Sequence, residues 1–287
     1  MRINTNINSM RTQEYMRQNQ EKMNTSMNRL SSGKRINSAA DDAAGLAIAT
    51  RMRAKENGLG VASRNTQDGI SLIRTADSAL NSVSNILLRM RDLAVQSANG
   101  TNSTDDRTAI DKEFGQLINQ IDYIAKNTAF NGTTLLNGST DSSNTHTTTS
   151  SVAIKTYDDG GAADISITLA SANAIDLGLA KAGAQPTDPI VPSKVNDTDI
   201  IKTIDAKLKD IATSRADLGA TLNRLDFNVA NLNSQASSMA ASASQIEDAD
   251  MAKEMSEMTK FKILNEAGIS MLSQANQTPQ MVSKLLQ

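Results

Sequence analysis

The chain has 287 residues, a formal net charge of -2 and 2% aromatic residues, with no tryptophan. Scattered charges without a basic stripe argue against nucleic acid or membrane as a partner, and a cysteine count of 0 excludes disulfides, thiolate metal sites and thiol chemistry. With so few rings, Ala, Leu, Ile and Met must fill the core, which favours close helix–helix contacts over a globule with a pocket.

The first segment, MRINTNINSMRTQEYM, has no apolar h-region and no small-residue cleavage site, so it does not read as a signal peptide. Within it Ile3, Ile7 and Met10 follow helical spacing, as do Met23, Met27 and Leu30 further on. These stripes are narrow and set among Asn, Gln and Ser. Alone they bury too little to offset backbone ordering of about 1–2 kcal/mol per residue, so the segment is expected to order only on association.

Ser38 and Asp41 fit S-x-x-D, a capping-box start for a helix from Ala43 onward. A seam then runs through Ile48, Met52, Lys55, Leu59, Ala62, Thr66, Gly69, Ile73, Ala76, Leu80, Val83, Leu87, Met90 and Ala94. Alternating steps of three and four predict a long helix, stopping near Asn99-Gly100. A shorter seam joins Ile110, Phe114, Leu117, Ile121 and Ile124 and closes before Asn131-Gly132.

Residues 139–151 are Ser/Thr-rich and read as an exposed loop. Ser150 to Tyr157 and Asp164 to Leu169 flank Asp158-Asp159-Gly160-Gly161, which predicts a β-hairpin. Pro186, Pro189 and Pro192 form a stiff return. The longest seam follows: Ile201, Ile204, Leu208, Ile211, Arg215, Leu218, Leu222, Leu225, Val229, Leu232, Ala236, Met239, Ala243 and Ile246. It predicts a coiled-coil helix about 70 Å long, with Asp197 or Thr198 as N-cap. Arg215 alone breaks its apolar content and calls for a carboxylate partner and a register-setting role. Met251, Met255, Met258, Phe261 and Leu264 close the chain with a stripe like the first one, and the two ends hold ten of the thirteen methionines.

No catalytic constellation emerges. His146 is the only histidine and sits in the Ser/Thr loop, without a fixed carboxylate or a second ligand. Asp41-Asp42 reads as helix-start geometry, and Gly58-x-Gly60 lies inside a helical seam with no preceding strand, unlike a dinucleotide loop. The expectation is a mainly α protein without enzymatic activity, metal or cofactor. Its architecture is a long-helix antiparallel bundle with a small β-hairpin region and discontinuous terminal helices.

The run Leu30–Ile48 (LSSGKRINSAADDAAGLAI) resembles the signature of bacterial flagellins. Arg89–Gln96 (RMRDLAVQ), Phe130-Asn131-Gly132, Ile246–Ala252 (IEDADMA) and Leu285-Leu286-Gln287 resemble further landmarks of that family. The resemblance covers residues 1–138 and about 197–287, and implies a short form lacking the outer variable domains. It implies that residues 1–44 and 250–287 pair as an inner coiled-coil layer, packed through Ile3, Ile7, Met10, Met23, Met27, Leu30, Met251, Met255, Met258, Phe261 and Leu264. Residues 45–249 would form a rod-shaped second layer with a hairpin tip around 139–196. The Met-rich terminal stripes depart from the Leu, Ile and Ala expected there.

The function implied is that of an exported filament subunit: a helical homopolymer in the extracellular flagellum, used for swimming and carried out by type III export. Implied partners are an export chaperone, a filament cap protein and a hook–filament junction protein. A hook–filament junction protein is also the alternative identity, since it shares the terminal architecture. The resemblance further implies recognition by the vertebrate innate immune receptor for flagellin, through Arg89, Leu93 and Glu113. Set against the seam at Leu87, Met90 and Ala94, Arg89, Leu93 and Gln96 read as a stripe on the far side of their helix, with Leu93 pointing away from its own bundle.

Overall fold

The computed structural model describes residues 6–140, 146–147, 149–156, 164–174, 176–179 and 198–285. Its helices are α1 (Ile7–Ser32), α2 (Ala43–Ser97), α3 (Thr104–Asn127), α4 (Thr198–Glu247) and α5 (Met251–Leu285). Its strands are β1 (Ala129–Phe130), β2 (Thr133–Thr134), β3 (Ser139–Thr140), β4 (His146–Thr147), β5 (Thr149–Lys155) and β6 (Asp164–Ala170). The chain divides into two units, residues 1–57 with 236–287 and residues 58–235, and the divisions fall inside α2 and α4.

Local chemistry explains where the helices begin and end. The Asn6 side chain accepts from Ser9 N–H at 3.2 Å and caps α1, whose last turn is closed by Gly33 at φ 71. A side chain there would be strained, so glycine suits the turn. The cap of α2 is Asp42, whose Oδ1 accepts from Gly45 N–H at 2.9 Å, rather than Ser38. Ser38 and Asp41 instead build the turn before it, with Asp41 Oδ2 accepting from Asn37 N–H, Ser38 N–H and Ser38 Oγ. A full capping box forms one helix later, between Ser103 and Asp106. Of the two proposed caps of α4, Thr198 is its first residue, and Asp197 lies outside the described residues.

In the second unit, α4 follows its heptad closely. Ile204, Ile211, Leu218, Leu225 and Leu232 are all buried, and the intervening Leu208, Arg215, Leu222 and Val229 are half-buried. Arg215 finds its carboxylate: Nε donates to Asp77 Oδ1 at 2.7 Å and Nη1 to Asn81 Oδ1 at 3.0 Å. From Leu59 to Ala94 the α2 seam is buried as expected. Before Leu59 it is followed only in part: Met52 is half-buried, but Ile48 and Lys55 are exposed while Gly45 and Ala49 are buried. Small residues there leave room for Ile36, whose Cδ1 lies 2.8 Å from where a Gly45 Cβ would stand. On α3 the buried set is Ile110, Phe114, Ile118, Ile121 and Ala125, with Leu117 and Ile124 half-buried beside it.

The strands extend this core. Asn131 (φ 49) and Gly132 (φ 81) link β1 to β2 as a two-residue turn with both φ positive, while α3 has already ended at Asn127 with Thr128 as its extended cap. The predicted hairpin is β5–β6, paired from Thr149↔Ala170 to Lys155↔Asp164; its turn, like the proline return, lies outside the described residues. Ile154, Ile167 and Leu169 on its inner face join the core of α2, α3 and α4. Gly69 makes that docking close, because a Cβ there would come 2.0 Å from Ile154 Cδ1. Part of the expected loop is strand: Ser139 and Thr140 pair with Thr147 and His146, and Thr149–Ser151 enter β5. Threonine's β-branching favours extended backbone, which low complexity does not remove.

Candidate assembly interface

In the first unit, α1 and α5 run antiparallel. Asn6 Nδ2 donates to Ala275 O at 2.8 Å, Asn265 Nδ2 to Gln20 Oε1 at 2.6 Å and Arg29 Nη1 to Glu254 Oε1 at 3.3 Å. Between these, Lys22 Nζ stands 5.7 Å from the centre of the Phe261 ring. The residues covered by this pairing step by three and four: Ser9, Thr12, Met16, Asn19, Met23, Ser26 and Leu30 on α1, and Glu254, Met258, Phe261, Asn265, Gly268, Leu272 and Ala275 on α5. Gly268 lets the helices approach, since a Cβ there would meet Met16 Cγ at 2.8 Å.

The expected inner-layer residues therefore split into two groups. Met23, Leu30, Met258 and Phe261 lie in the seam. Ile7, Met10, Met27, Met251, Met255 and Leu264 are exposed, as are Ile263, Ile269 and Met271. Ile3 lies outside the described residues. At about 100° per residue, Met251, Met255 and Ile269 share one flank of α5, Leu264 and Met271 the opposite flank, and Ile263 the back. A helix that is apolar on several sides beyond its own seam is one that expects several neighbours. An open groove of about 430 Å³, lined by Met23, Met27, Met258, Lys262, Asn265, Glu266 and Ile269, follows this surface.

A joint of charged residues holds the two helix turns of this unit together. Arg35 N–H donates to Glu247 O at 2.7 Å, Ala249 N–H to Gly33 O at 3.0 Å and Arg35 Nη2 to Ile246 O at 2.7 Å. Glu247 is buried. One of its oxygens pairs with Lys34 Nζ, and the other accepts from Arg53 Nε at 2.7 Å. The Lys34 hydrogen bond holds the Glu247 carboxyl below its ordinary value, against partial loss of hydration and with help from Arg53. The sequence motifs quoted for these two turns gave no sign that they meet. Of the α1 seam, hydropathy pointed to Met23 and Leu30 and missed Ser9, Thr12, Asn19 and Ser26.

The proposed recognition residues fall in the second unit. Arg89 Nη2 and Glu113 Oε1 form an exposed ion pair at 2.6 Å between α2 and α3. Leu93 does not point away from its bundle: it is 2% exposed and belongs to the core with Ile110 and Phe114. At about 100° per residue it stands only about 60° from Met90, and α3 on that side widens the buried arc of α2. The apolar residues that α2 does expose nearby are Leu88 and Val95.

Among the described residues, no group of three His, Cys, Asp or Glu is placed to hold a metal ion, and no helix is long and apolar enough to cross a membrane.

The family model for the bacterial flagellin N-terminal helical region matches residues 3–141, and that for the C-terminal helical region matches residues 201–286. A flagellin of Listeria innocua serovar 6a is 48% identical over 291 residues, covering 100% of this chain and 99% of that protein. A flagellin of Bacillus subtilis is 40% identical over 308 residues, covering 100% of both. The crystal structure of Bacillus cereus flagellin is 38% identical, covers 63% of this chain and 94% of that chain, and has a TM-score of 0.45. Full-length identity at this level, with both helical regions matched, places the chain in the bacterial flagellin family.

Proposed function

We propose that the apolar residues outside the α1–α5 seam are the surfaces through which copies of this chain bind one another. As a flagellin, the chain is a structural, non-enzymatic subunit of the extracellular flagellar filament, whose rotation drives swimming. The observation that carries the proposal is that α5 exposes Met251, Met255, Ile263, Leu264, Ile269 and Met271 on more than one side. A single partner would cover one flank; a helical array covers all of them. In this reading residues 1–44 and 250–287 are the inner layer and 45–249 the outer one.

Ile263→Glu tests it. The residue is 59% exposed, so the subunit should keep its helicity and melting temperature. Polymerisation should fall below detection, because a carboxylate would be buried without a partner. Normal filaments from that variant would remove the proposal.

The finer partners belong to the same proposal: an export chaperone, a filament cap protein and a hook–filament junction protein, each engaging terminal helices that are not yet packed in an array. We also propose that the vertebrate innate immune receptor for flagellin contacts Arg89 and Glu113. Leu93 then acts from within the core, by setting the spacing of α2 and α3.

A further inference from the structure

We infer that the terminal helices carry an oxidation-sensitive assembly switch: conversion of the exposed thioethers of Met10, Met27, Met251, Met255 and Met271 to sulfoxides prevents the subunit from joining another copy. This rests on the self-association surface proposed above. Among the described side chains of α1 and α5, five of the exposed large apolar ones are methionines, between 47% and 67% exposed. Met90, in the core of the other unit, is 0% exposed. With Cys 0 and Trp 0, thioethers are the most readily oxidised groups in the sequence.

The oxidant is a peroxide. A methionine sulfur lone pair attacks one peroxide oxygen, the O–O bond breaks as the S–O bond forms, and water leaves after proton transfer. Sulfur loses two electrons and the peroxide oxygen gains them. The product is a strong hydrogen-bond acceptor on a side chain that was apolar, and burying it against a neighbour's apolar surface leaves that acceptor unpaired. Off the α1–α5 seam, the change acts between subunits and leaves the fold of each one in place. Reduction by two thiols, through a methionine sulfoxide reductase, returns the thioether with a disulfide and water.

The test treats purified monomer with hydrogen peroxide, removes the excess, maps oxidation by peptide mass spectrometry and then measures filament yield by sedimentation and electron microscopy. The five sites should oxidise at least about tenfold faster than Met90, following their exposure. Filament yield should fall at least about tenfold once the five sites are oxidised and the seam methionines are not, with the monomer's melting temperature unchanged. Treatment with reductases for both sulfoxide epimers and dithiothreitol should restore the yield. In preformed filaments the five sites should react several-fold more slowly. A variant with all five changed to Leu should polymerise before and after peroxide. Full filament yield from oxidised protein, no recovery on reduction, equal reactivity in monomer and filament, or loss of yield when the Leu variant is treated would each overturn the switch. Ile263→Glu has nothing to oxidise there, so it judges the assembly surface separately.

Discussion

Arg53 and Glu247 lie 194 residues apart in sequence, and Arg53 Nε donates to Glu247 Oε2 at 2.7 Å. With Lys34 on the other oxygen, a single carboxylate ties α2 and the α1–α2 turn to the end of α4. A carboxyl held below its ordinary value stabilises the fold above that value, and the contribution is lost as pH falls through the depressed one. Glu247→Gln should therefore cost about 1–3 kcal/mol at neutral pH, moderated by the exposure of both cations. The difference from wild type should shrink below about pH 4.5. Denaturant titrations of both proteins across that window provide the check. A difference that persists unchanged into acid would mean that packing, and not charge, holds the joint.

Leu225 sits fully buried at the centre of the α4 heptad, while Asn223, two residues before it, is exposed. Leu225→Ala should lose about 2–5 kcal/mol, and Asn223→Ala should stay within about 0.5 kcal/mol. Comparable melting temperatures for the two variants would contradict the seam.

Gly69 and Ile154 form a contact in which an added carbon must displace the end of the Ile154 side chain. Gly69→Ala gains up to about 1 kcal/mol of helix propensity but should still lower stability, because Ile154 Cδ1 occupies the space. Ile154→Val removes that carbon at a cost of about 0.5–1.5 kcal/mol and should relieve the clash. The double variant should then be more stable than the sum of the single changes predicts. Strict additivity in a thermal-melt cycle would place the two residues out of contact.

Leu93→Asp buries a carboxylate in the core and should unfold or strongly destabilise the second unit, so this variant says nothing about recognition. Arg89→Ala and Glu113→Ala separate the questions. Each removes one partner of an exposed pair and should change stability by no more than about 1 kcal/mol. A receptor-activation assay on these folded variants should show reduced signalling. Full signalling from both would move the recognition face elsewhere.

Hydropathy makes only part of this structure legible. Ile204, Ile211, Leu218, Leu225 and Leu232 announce their helix because each buried position carries a large apolar group. The α1–α5 seam is partly hidden for the opposite reason: Ser9, Ser26, Asn265 and Gly268 are covered because they are small or can hydrogen-bond across, and hydropathy ignores both properties. The apolar stripes that were legible at the two ends largely face outward, so the sequence pattern located exposed apolar positions more readily than the contact within the subunit. Leu93 was misread because one seam on α2 implies one neighbour, whereas α2 has α3 as well as α4, shown by Arg89–Glu113 and Arg91–Asp205. The Glu247 joint depends on residues too distant in sequence for any local pattern to pair them.

Ser9, Thr12, Asn19, Ser26 and Asn265 interrupt the apolar residues of the α1–α5 seam. Ser, Thr and Asn between α1 and α5 contribute little apolar burial, while ordering each residue costs about 1–2 kcal/mol. The exposed Ile7, Met10, Met27, Ile263 and Ile269 contribute stabilisation only when another copy covers them. In free monomer the two helices should therefore open readily, and amides across Met10–Leu30 and Met255–Ile269 should exchange at least about a hundredfold faster than those around Leu225, whose opening requires breaking the heptad core. In filaments the same amides should become protected, with a heat-capacity decrease on assembly that reports the apolar area buried. Dilute protein with labile ends would stay soluble and would order only where an existing end of the polymer supplies the neighbours, which confines growth to that end. Hydrogen exchange followed by mass spectrometry on matched monomer and filament samples decides the matter. Strong protection of Met10–Leu30 in monomer would show that the α1–α5 pair stands on its own, and growth control would then have to lie in the second unit.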